Sequence, residues 1–150
     1  MAEHIWSVLC SKSVTDKETS LVSLFDVLET LGIELPGEAL TEPTKAIRFS
    51  TEVVSLWRRS EPEQAEAAQD CRLDLVFPDG ETAASKSISI DLSQSKRFRS
   101  SFKSDVLPLR GAGAYRFNIY LKRGRGWKMM ASLPLDISIA PLEASPEAPK

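Results

Sequence analysis

Strict alternation of apolar and polar side chains in the last third of the chain constrains the fold most. Over residues 115–122, Tyr115, Phe117, Ile119 and Leu121 alternate with Arg116, Asn118, Tyr120 and Lys122. Successive side chains of a β-strand point to opposite faces, so the apolar row occupies one face and the polar row the other. The pattern predicts a strand with one face in a hydrophobic core.

The same period of two recurs along most of the chain. It is found in residues 4–11, 45–58, 73–77, 88–92, 98–102 and 127–139. Turn sequences, Pro78-Asp79-Gly80 and Gly124-Arg125-Gly126, separate some of these segments. About eight strands at this spacing predict an all-β fold, a single-domain antiparallel β-sandwich that is immunoglobulin-like or C2-like.

A chain of 150 residues suits one domain, which we expect to span residues 1–140. The acidic, Ala-rich segment 60–70 is predicted to be a mobile connection or a short helix. Residues 141–150 are rich in proline and poor in apolar side chains, so we expect a disordered tail. The predicted core comprises Trp6, Val8, Leu24, Phe49, Leu73, Leu75, Ile88, Ile90, Phe98, Phe102, Phe117, Ile119, Leu133 and Leu135.

Residues 19–31 do not follow the strand pattern clearly. Leu21, Leu24, Phe25 and Leu28 have the spacing of a helical stripe, and Thr15-x-x-Glu18 resembles a capping box. The alternative is a strand that follows a turn at residues 16–19. Spacing alone favours the helix.

Two parts of the chain resemble known proteins. Residues 4–10 (HIWSVLC), the turn at 16–19 (DKET) and residues 21–29 (LVSLFDVLE) resemble the start of a family of short uncharacterised bacterial β-proteins of unknown function. Residues 113–121 (GAYRFNIYL) and 133–137 (LPLDI) are similar to the last strands of many immunoglobulin-like or C2-like sandwiches. The resemblance implies a strand, rather than a helix, at residues 20–30, and it assigns no catalytic residue.

Side chains that carry catalysis are scarce. His4 is the single histidine, and Cys10 and Cys71 lie in predicted strands among apolar residues, which is typical of buried structural thiols. Asp79-Gly80-Glu81 offers oxygen ligands for calcium, but so few carboxylates favour a plain turn. Gly111-Ala112-Gly113 lacks the residues of a phosphate-binding loop. We therefore expect no enzyme activity, no metal site and no cofactor.

The charges are distributed unevenly. The net charge is -2, but residues 96–128 hold 10 basic residues and one acid, a net of +9. Part of this charge lies on the predicted hairpin at 116–128, which also carries an aromatic residue. A cluster of cations with an aromatic side chain can hold phosphates and stack on bases. The predicted binding residues are Arg116, Tyr120, Lys122, Arg123, Arg125 and Lys128.

A second basic group, Arg97, Arg99 and Lys103, joins this hairpin only if both strands lie in one sheet. The sequence predicts a non-enzymatic protein-binding or scaffold module whose partner is another protein or a second copy of the chain. The alternative is anion or nucleic-acid binding through the basic hairpin, although the slightly negative net charge is untypical of a nucleic-acid binder. Neither an export signal nor a membrane span is visible, so we expect a cytoplasmic location.

Overall fold

The alternating segments form extended strands along most of the chain. A computed structural model describes residues 1–142. The elements are β1 (Glu3–Thr15), β2 (Val22–Val27), β3 (Thr30–Leu35), a short 3₁₀ helix (Gly37–Thr41), β4 (Lys45–Arg58), β5 (Gln69–Val76), β6 (Thr82–Ile90), β7 (Arg97–Leu109), β8 (Gly113–Arg123) and β9 (Gly126–Pro141). The all-β prediction is confirmed, but the described residues contain nine strands rather than about eight.

The strands form two sheets. Sheet A has the order β2-β1-β4-β7, and sheet B has the order β3-β9-β8-β5-β6. All neighbours are antiparallel except β3, which runs parallel to β9 from the Thr30–Asp136 pair to the Leu35–Pro141 pair. The prediction of uniformly antiparallel strands is therefore wrong at this edge. The ninth strand, β3, was not separated in the sequence from the segment before it, because only two residues lie between β2 and β3.

Residues 20–30 contain a strand and no helix, as the resemblance implied. A turn precedes β2, in which an Asp16 carboxylate oxygen accepts hydrogen bonds from the backbone N–H groups of Glu18 and Thr19. In β2, Phe25 lies opposite Lys12 of β1 and is 44% exposed. The helical spacing misleads here because β2 is an edge strand, whose apolar residues are not all buried.

One hydrophobic cluster receives side chains from both sheets. Of the predicted core residues, seven are buried in it: Leu73, Leu75, Ile90, Phe102, Phe117, Ile119 and Leu135. Phe49, Ile88, Phe98 and Leu133 are partly buried and pack against it. The cluster also includes Val53 and Trp57 of β4 and Tyr115 of β8. Burying a large apolar side chain stabilises a fold by about 1.5–3 kcal/mol, so this cluster holds the two sheets together.

Three core predictions are wrong. Trp6 and Val8 lie on the same face of β1, as the alternation indicated, but opposite Leu56 and Val54 on the outer face of sheet A. Leu9, one residue further on, enters the cluster instead. Leu24 of the edge strand β2 is half-buried outside the cluster. Both faces of β1 carry apolar residues, so alternation alone could not identify the inner one.

The segment between β4 and β5 contains neither strand nor helix. Arg59 holds it in place, because its guanidinium donates hydrogen bonds to the backbone carbonyls of Leu92, Ser93 and Pro62 at 2.8, 3.1 and 3.1 Å. At the other end of the chain, β9 ends at Pro141 and the Leu142 N–H donates to the Leu35 carbonyl. Most of the predicted tail, residues 143–150, lies outside the described residues.

Candidate interaction site

The β8–β9 hairpin divides the six predicted binding residues between two sides of sheet B. Arg116, Tyr120 and Lys122 alternate with the buried residues of β8 and so lie on the outer face. Lys128 lies opposite Leu121, a core residue, and therefore on the other side. Arg123 follows Lys122 and also points to that other side, while Arg125 is at the tip of the turn. The predicted residues do not form one cluster.

The two basic groups also remain separate. Arg97, Arg99 and Lys103 belong to β7 in sheet A, whereas the basic hairpin belongs to sheet B. Lys103 lies opposite Glu52 and Arg99 opposite Leu56, so both face away from sheet B. Because the two strands lie in different sheets, these three residues do not join the basic hairpin in one patch.

A different set of residues meets on the outer face of sheet B. Tyr120 of β8 lies opposite Arg72 of β5 on one side, and Lys122 lies opposite Trp127 of β9 on the other. The Arg72 guanidinium carbon is 4.6 Å from the centre of the Tyr120 ring and 4.7 Å from that of Trp127. The Lys122 ammonium lies 5.9 Å from the centre of the Trp127 ring. Each such contact contributes about 0.5–2 kcal/mol.

We call this group the cation–aromatic surface: Arg72, Tyr120, Lys122, Trp127 and Met129. Met129 lies opposite Tyr120 in β9, beside a bulge in that strand. Trp127 is 37% exposed and Met129 48% exposed, which is unusual for side chains of this size. The surface therefore combines a stacked cation with large apolar side chains that contact water.

The polar partners of Arg72 are few. Its Nε atom is 3.1 Å from Oδ1 of Asp74, which also accepts a hydrogen bond from the Ser85 hydroxyl. The Nε atom is nevertheless buried without an aligned hydrogen bond to any described residue. A guanidinium has five N–H donors in a fixed plane, and stacking on two rings uses none of them. Arg72 is thus held in position while it keeps hydrogen-bonding capacity.

Arg116 belongs to a neighbouring polar row on the same face. Its guanidinium donates to the Ser132 hydroxyl at 3.2 Å, and that hydroxyl donates to the Asn118 side-chain carbonyl at 2.6 Å. Arg116 and Tyr120 are four positions apart, about 13 Å along an extended strand. Arg116 therefore flanks the cation–aromatic surface rather than forming part of it.

Three members of the surface, Arg72, Trp127 and Met129, were missed by the sequence analysis. A signal for Trp127 existed: the turn at Gly124-Arg125 sets Arg123 against Gly126, which places Trp127 opposite Lys122. Nothing in the sequence indicates that β5 lies beside β8, because the paired positions are 40 (Val76 to Arg116) to 50 (Cys71 to Leu121) residues apart and strand order is not encoded locally.

The acidic residues and the cysteines that the sequence offered as possible sites are paired or buried within the fold. The Asp79 and Glu81 carboxylates both form ion pairs with Arg110, which stacks on Phe77 at 4.3 Å. The segment weighed as a calcium ligand is therefore a turn in which one guanidinium compensates part of the charge of two carboxylates. Burial raises the pKa of Cys71 to about 12 and raises that of Cys10, which keeps both thiols protonated.

His4 lies at the end of a hydrogen-bonded chain. Its Nε2 is 2.7 Å from the Ser7 hydroxyl, which is 2.6 Å from the Ser55 hydroxyl. Its ring also contacts Trp57 edge-on, and burial lowers its pKa. Among residues 1–142, no carboxylate forms a hydrogen bond with His4, and no group of three or more His, Cys, Asp and Glu side chains could hold a metal ion.

Comparisons with known proteins assign this chain to no family. Neither a protein-family model nor a curated protein sequence matches this chain. Within the described part of the chain, no helix has the length and apolar character needed to cross a membrane. The resemblance to a family of short uncharacterised bacterial β-proteins therefore stays a prediction.

Proposed function

We propose that this chain is a non-enzymatic protein-binding module that contacts an acidic partner protein through the cation–aromatic surface. The observation that carries the proposal is the Arg72 guanidinium stacked between Tyr120 and the exposed Trp127. Tyr, Trp, Arg and Met are enriched in protein interfaces, and a few such residues supply most of the binding energy. Stacking fixes these side chains before binding, which reduces the entropy lost on association.

The chemistry of the surface indicates an acidic partner. The Arg72 side chain is 28% exposed, and its two terminal nitrogens can present paired N–H donors to a carboxylate. Lys122 adds a second positive charge beside Trp127. Asp74 is the acidic side chain in contact with Arg72, and the Ser85 hydroxyl shares its Oδ1 atom. A partner carboxylate would find both cations within one small area.

We also propose that the two sheets form an immunoglobulin-like sandwich. Support comes from Tyr115 at the start of β8, whose hydroxyl accepts a hydrogen bond from the Arg110 N–H and donates one to the Gly111 carbonyl, both at 2.7 Å. A tyrosine that bonds back to the preceding corner in this way is a hallmark of such sandwiches. Such a fold does not itself specify a function.

The alternative function is binding of an anion or a nucleic acid through the basic hairpin at 116–128. Tyr120, Trp127 and the neighbouring cations could stack bases and hold phosphates. Arg123 and Lys128 lie on the other side of sheet B from Lys122. These cations therefore do not line one continuous surface along which a phosphate backbone could bind. We therefore keep nucleic acid as an outcome of the test below.

A site-specific photo-crosslinker tests the proposal. The crosslinking amino acid replaces Met129 in one protein and Val14 in a control, because these side chains are 48% and 51% exposed on different sheets. Irradiation in the native cells is followed by mass spectrometry of the adducts. We expect a defined protein adduct at position 129, with an acidic contact segment, that is absent at position 14. Adding Arg72→Ala should abolish that adduct.

Three results would contradict the proposal. These are a lack of any protein adduct at position 129, the same adducts at both positions, or an adduct that survives Arg72→Ala unchanged. An adduct that nuclease treatment removes would support the alternative. Titration of purified protein with single-stranded DNA and RNA at two salt concentrations then measures that binding directly, because phosphate contacts weaken steeply with salt.

A further inference from the structure

The two sheets separate at the edge formed by β6 and β7. These are edge strands of sheet B and sheet A. In β6, Lys86 lies opposite Leu73 and Ala84 lies opposite Leu75, so both share the face that carries core residues. Both are nevertheless exposed. Inward-facing positions that contact water show that the sheets do not close over the core here.

A cavity extends from this opening between the sheets. Its volume is about 180 Å³. Its inner wall consists of apolar residues from both sheets: Val53, Leu73, Leu75, Phe102, Leu107 and Phe117. An apolar cavity of about 150 Å³ is large enough to stay dry and bind benzene, so this space suits a chain of about six carbon atoms. Ala84 and Val106 extend the apolar surface to the mouth.

Lys86 lies across the mouth of the cavity. Its ammonium donates a hydrogen bond of 2.6 Å to the backbone carbonyl of Lys103 and so connects the two edge strands. An ammonium has three donors, and Lys86 forms no ion pair with any of residues 1–142. A positive charge therefore lies where an apolar chain would enter.

We propose that this cavity binds a short linear alkyl carboxylate. The chain lies between the sheets against Leu75, Phe102 and Phe117, and the carboxylate pairs with the Lys86 ammonium. An inward-pointing lysine on an edge strand also discourages edge-to-edge aggregation. Protection against aggregation requires no cavity behind the lysine. A measurement of ligand binding therefore distinguishes that role from the proposed one. The proposal is independent of the cation–aromatic surface, which is on the opposite face of sheet B.

Chemical-shift titration of the purified protein at pH 7 tests this, with hexanoate, octanoate and 1-hexanol as probes. We expect saturable shifts of the Leu75, Phe102 and Phe117 amides. A charge-assisted hydrogen bond should make hexanoate bind about tenfold more tightly than 1-hexanol. Lys86→Met should remove this preference and leave 1-hexanol binding intact. Lys103→Met is the matched control, because that side chain faces Glu52 on the outer face of sheet A.

Two further variants complete the design. Ala84→Phe should block the mouth and abolish binding of all three probes, while Trp127→Ala should change nothing, which separates this site from the protein-binding surface. The proposal is overturned if the wild type shows no saturable shift, or if it binds 1-hexanol as tightly as hexanoate. A tenfold preference that persists in Lys86→Met also overturns it, and Lys86→Gln repeats the comparison if the methionine variant does not fold.

Discussion

The outer faces of the two sheets each hold a charged side chain, but the contacts of the two charges differ. On sheet A, Glu52 is 2% exposed and accepts hydrogen bonds from the Ser13 N–H at 2.7 Å, the Ser13 hydroxyl at 2.8 Å and the Ser101 hydroxyl. On sheet B, Arg72 is stacked between two rings and makes no aligned hydrogen bond through its buried Nε.

This difference distinguishes a charge whose hydrogen bonds are made within the fold from one that keeps donors free. Glu52 connects β1 and β7 across β4, and its oxygens are engaged by neighbours, so it stabilises the sheet and offers little to a partner. Arg72 is held by ring faces, which fix its position without using its donors. The Nε atom itself is buried beside Asp74 and is out of reach of a partner, so the donors left for binding are those of the two terminal nitrogens. The face of sheet B is therefore the one on which we propose that a partner binds.

The largest expected effect concerns Glu52. Glu52→Ala removes one acceptor group and leaves the Ser13 N–H and two hydroxyls without partners. We expect a loss of about 3 kcal/mol in the free energy of unfolding, measured by urea denaturation. Glu52→Gln, which keeps a carbonyl oxygen, should lose less. If Glu52→Ala unfolds at the wild-type midpoint, the contrast between the faces disappears.

The pH dependence of stability tests whether the ionised form of Glu52 is the one that stabilises the fold. Burial raises the pKa of Glu52, but hydrogen bonds from Ser101 and Ser13 and the charge of Lys103 outweigh it, so the net pKa lies below the usual 4.5. Near pH 4.5 the unfolded chain then binds more protons than the folded one, and stability rises with pH. The advantage of wild type over Glu52→Gln should be complete above pH 4.5 and decline as the pH falls through the folded-state pKa. A constant difference from pH 7 to pH 3 would contradict this assignment.

On sheet B we expect a smaller stability effect. A double-mutant cycle of Arg72→Ala and Trp127→Ala should give a coupling energy of about 1 kcal/mol, the contribution of one partly desolvated cation–aromatic contact. Each single variant should remain folded by circular dichroism. A coupling energy of zero would show that the stacking does not hold Arg72 in place.

The smallest effect is expected in the hairpin, where two adjacent cations face opposite ways. Lys122→Ala and Arg123→Ala should each change the free energy of unfolding by less than about 0.5 kcal/mol, as exposed substitutions usually do. Only Lys122→Ala should reduce the crosslinking yield at position 129, because Arg123 points to the other side of sheet B. An equal reduction in both variants would indicate that the hairpin tip itself is the contact.

The sequence predicts the structural features that neighbouring residues determine. It does not predict those that depend on pairing between strands far apart along the chain. Alternation over residues 45–58 predicts the bounds of β4, because side-chain period is a local property. The inner face of β1 was mistaken because Val8 and Leu9 are equally apolar. Tyr120 and Lys122 were identified in the hairpin, whereas Arg72 was not, since its position beside Tyr120 depends on which strands pair across the whole chain.

The parallel pairing of β3 with β9 has a consequence for biosynthesis. Thr30 pairs with Asp136, which is synthesised 106 residues later (136 minus 30). Contacts so distant along the chain form slowly, because a long loop must close before they stabilise anything. Until β9 is made, β3 has no neighbour and its Leu31, Ile33 and Leu35 side chains lack their final packing. While the residues between β3 and β9 are being made, the nascent chain carries an unpaired strand, a state in which chaperones and self-association compete for it.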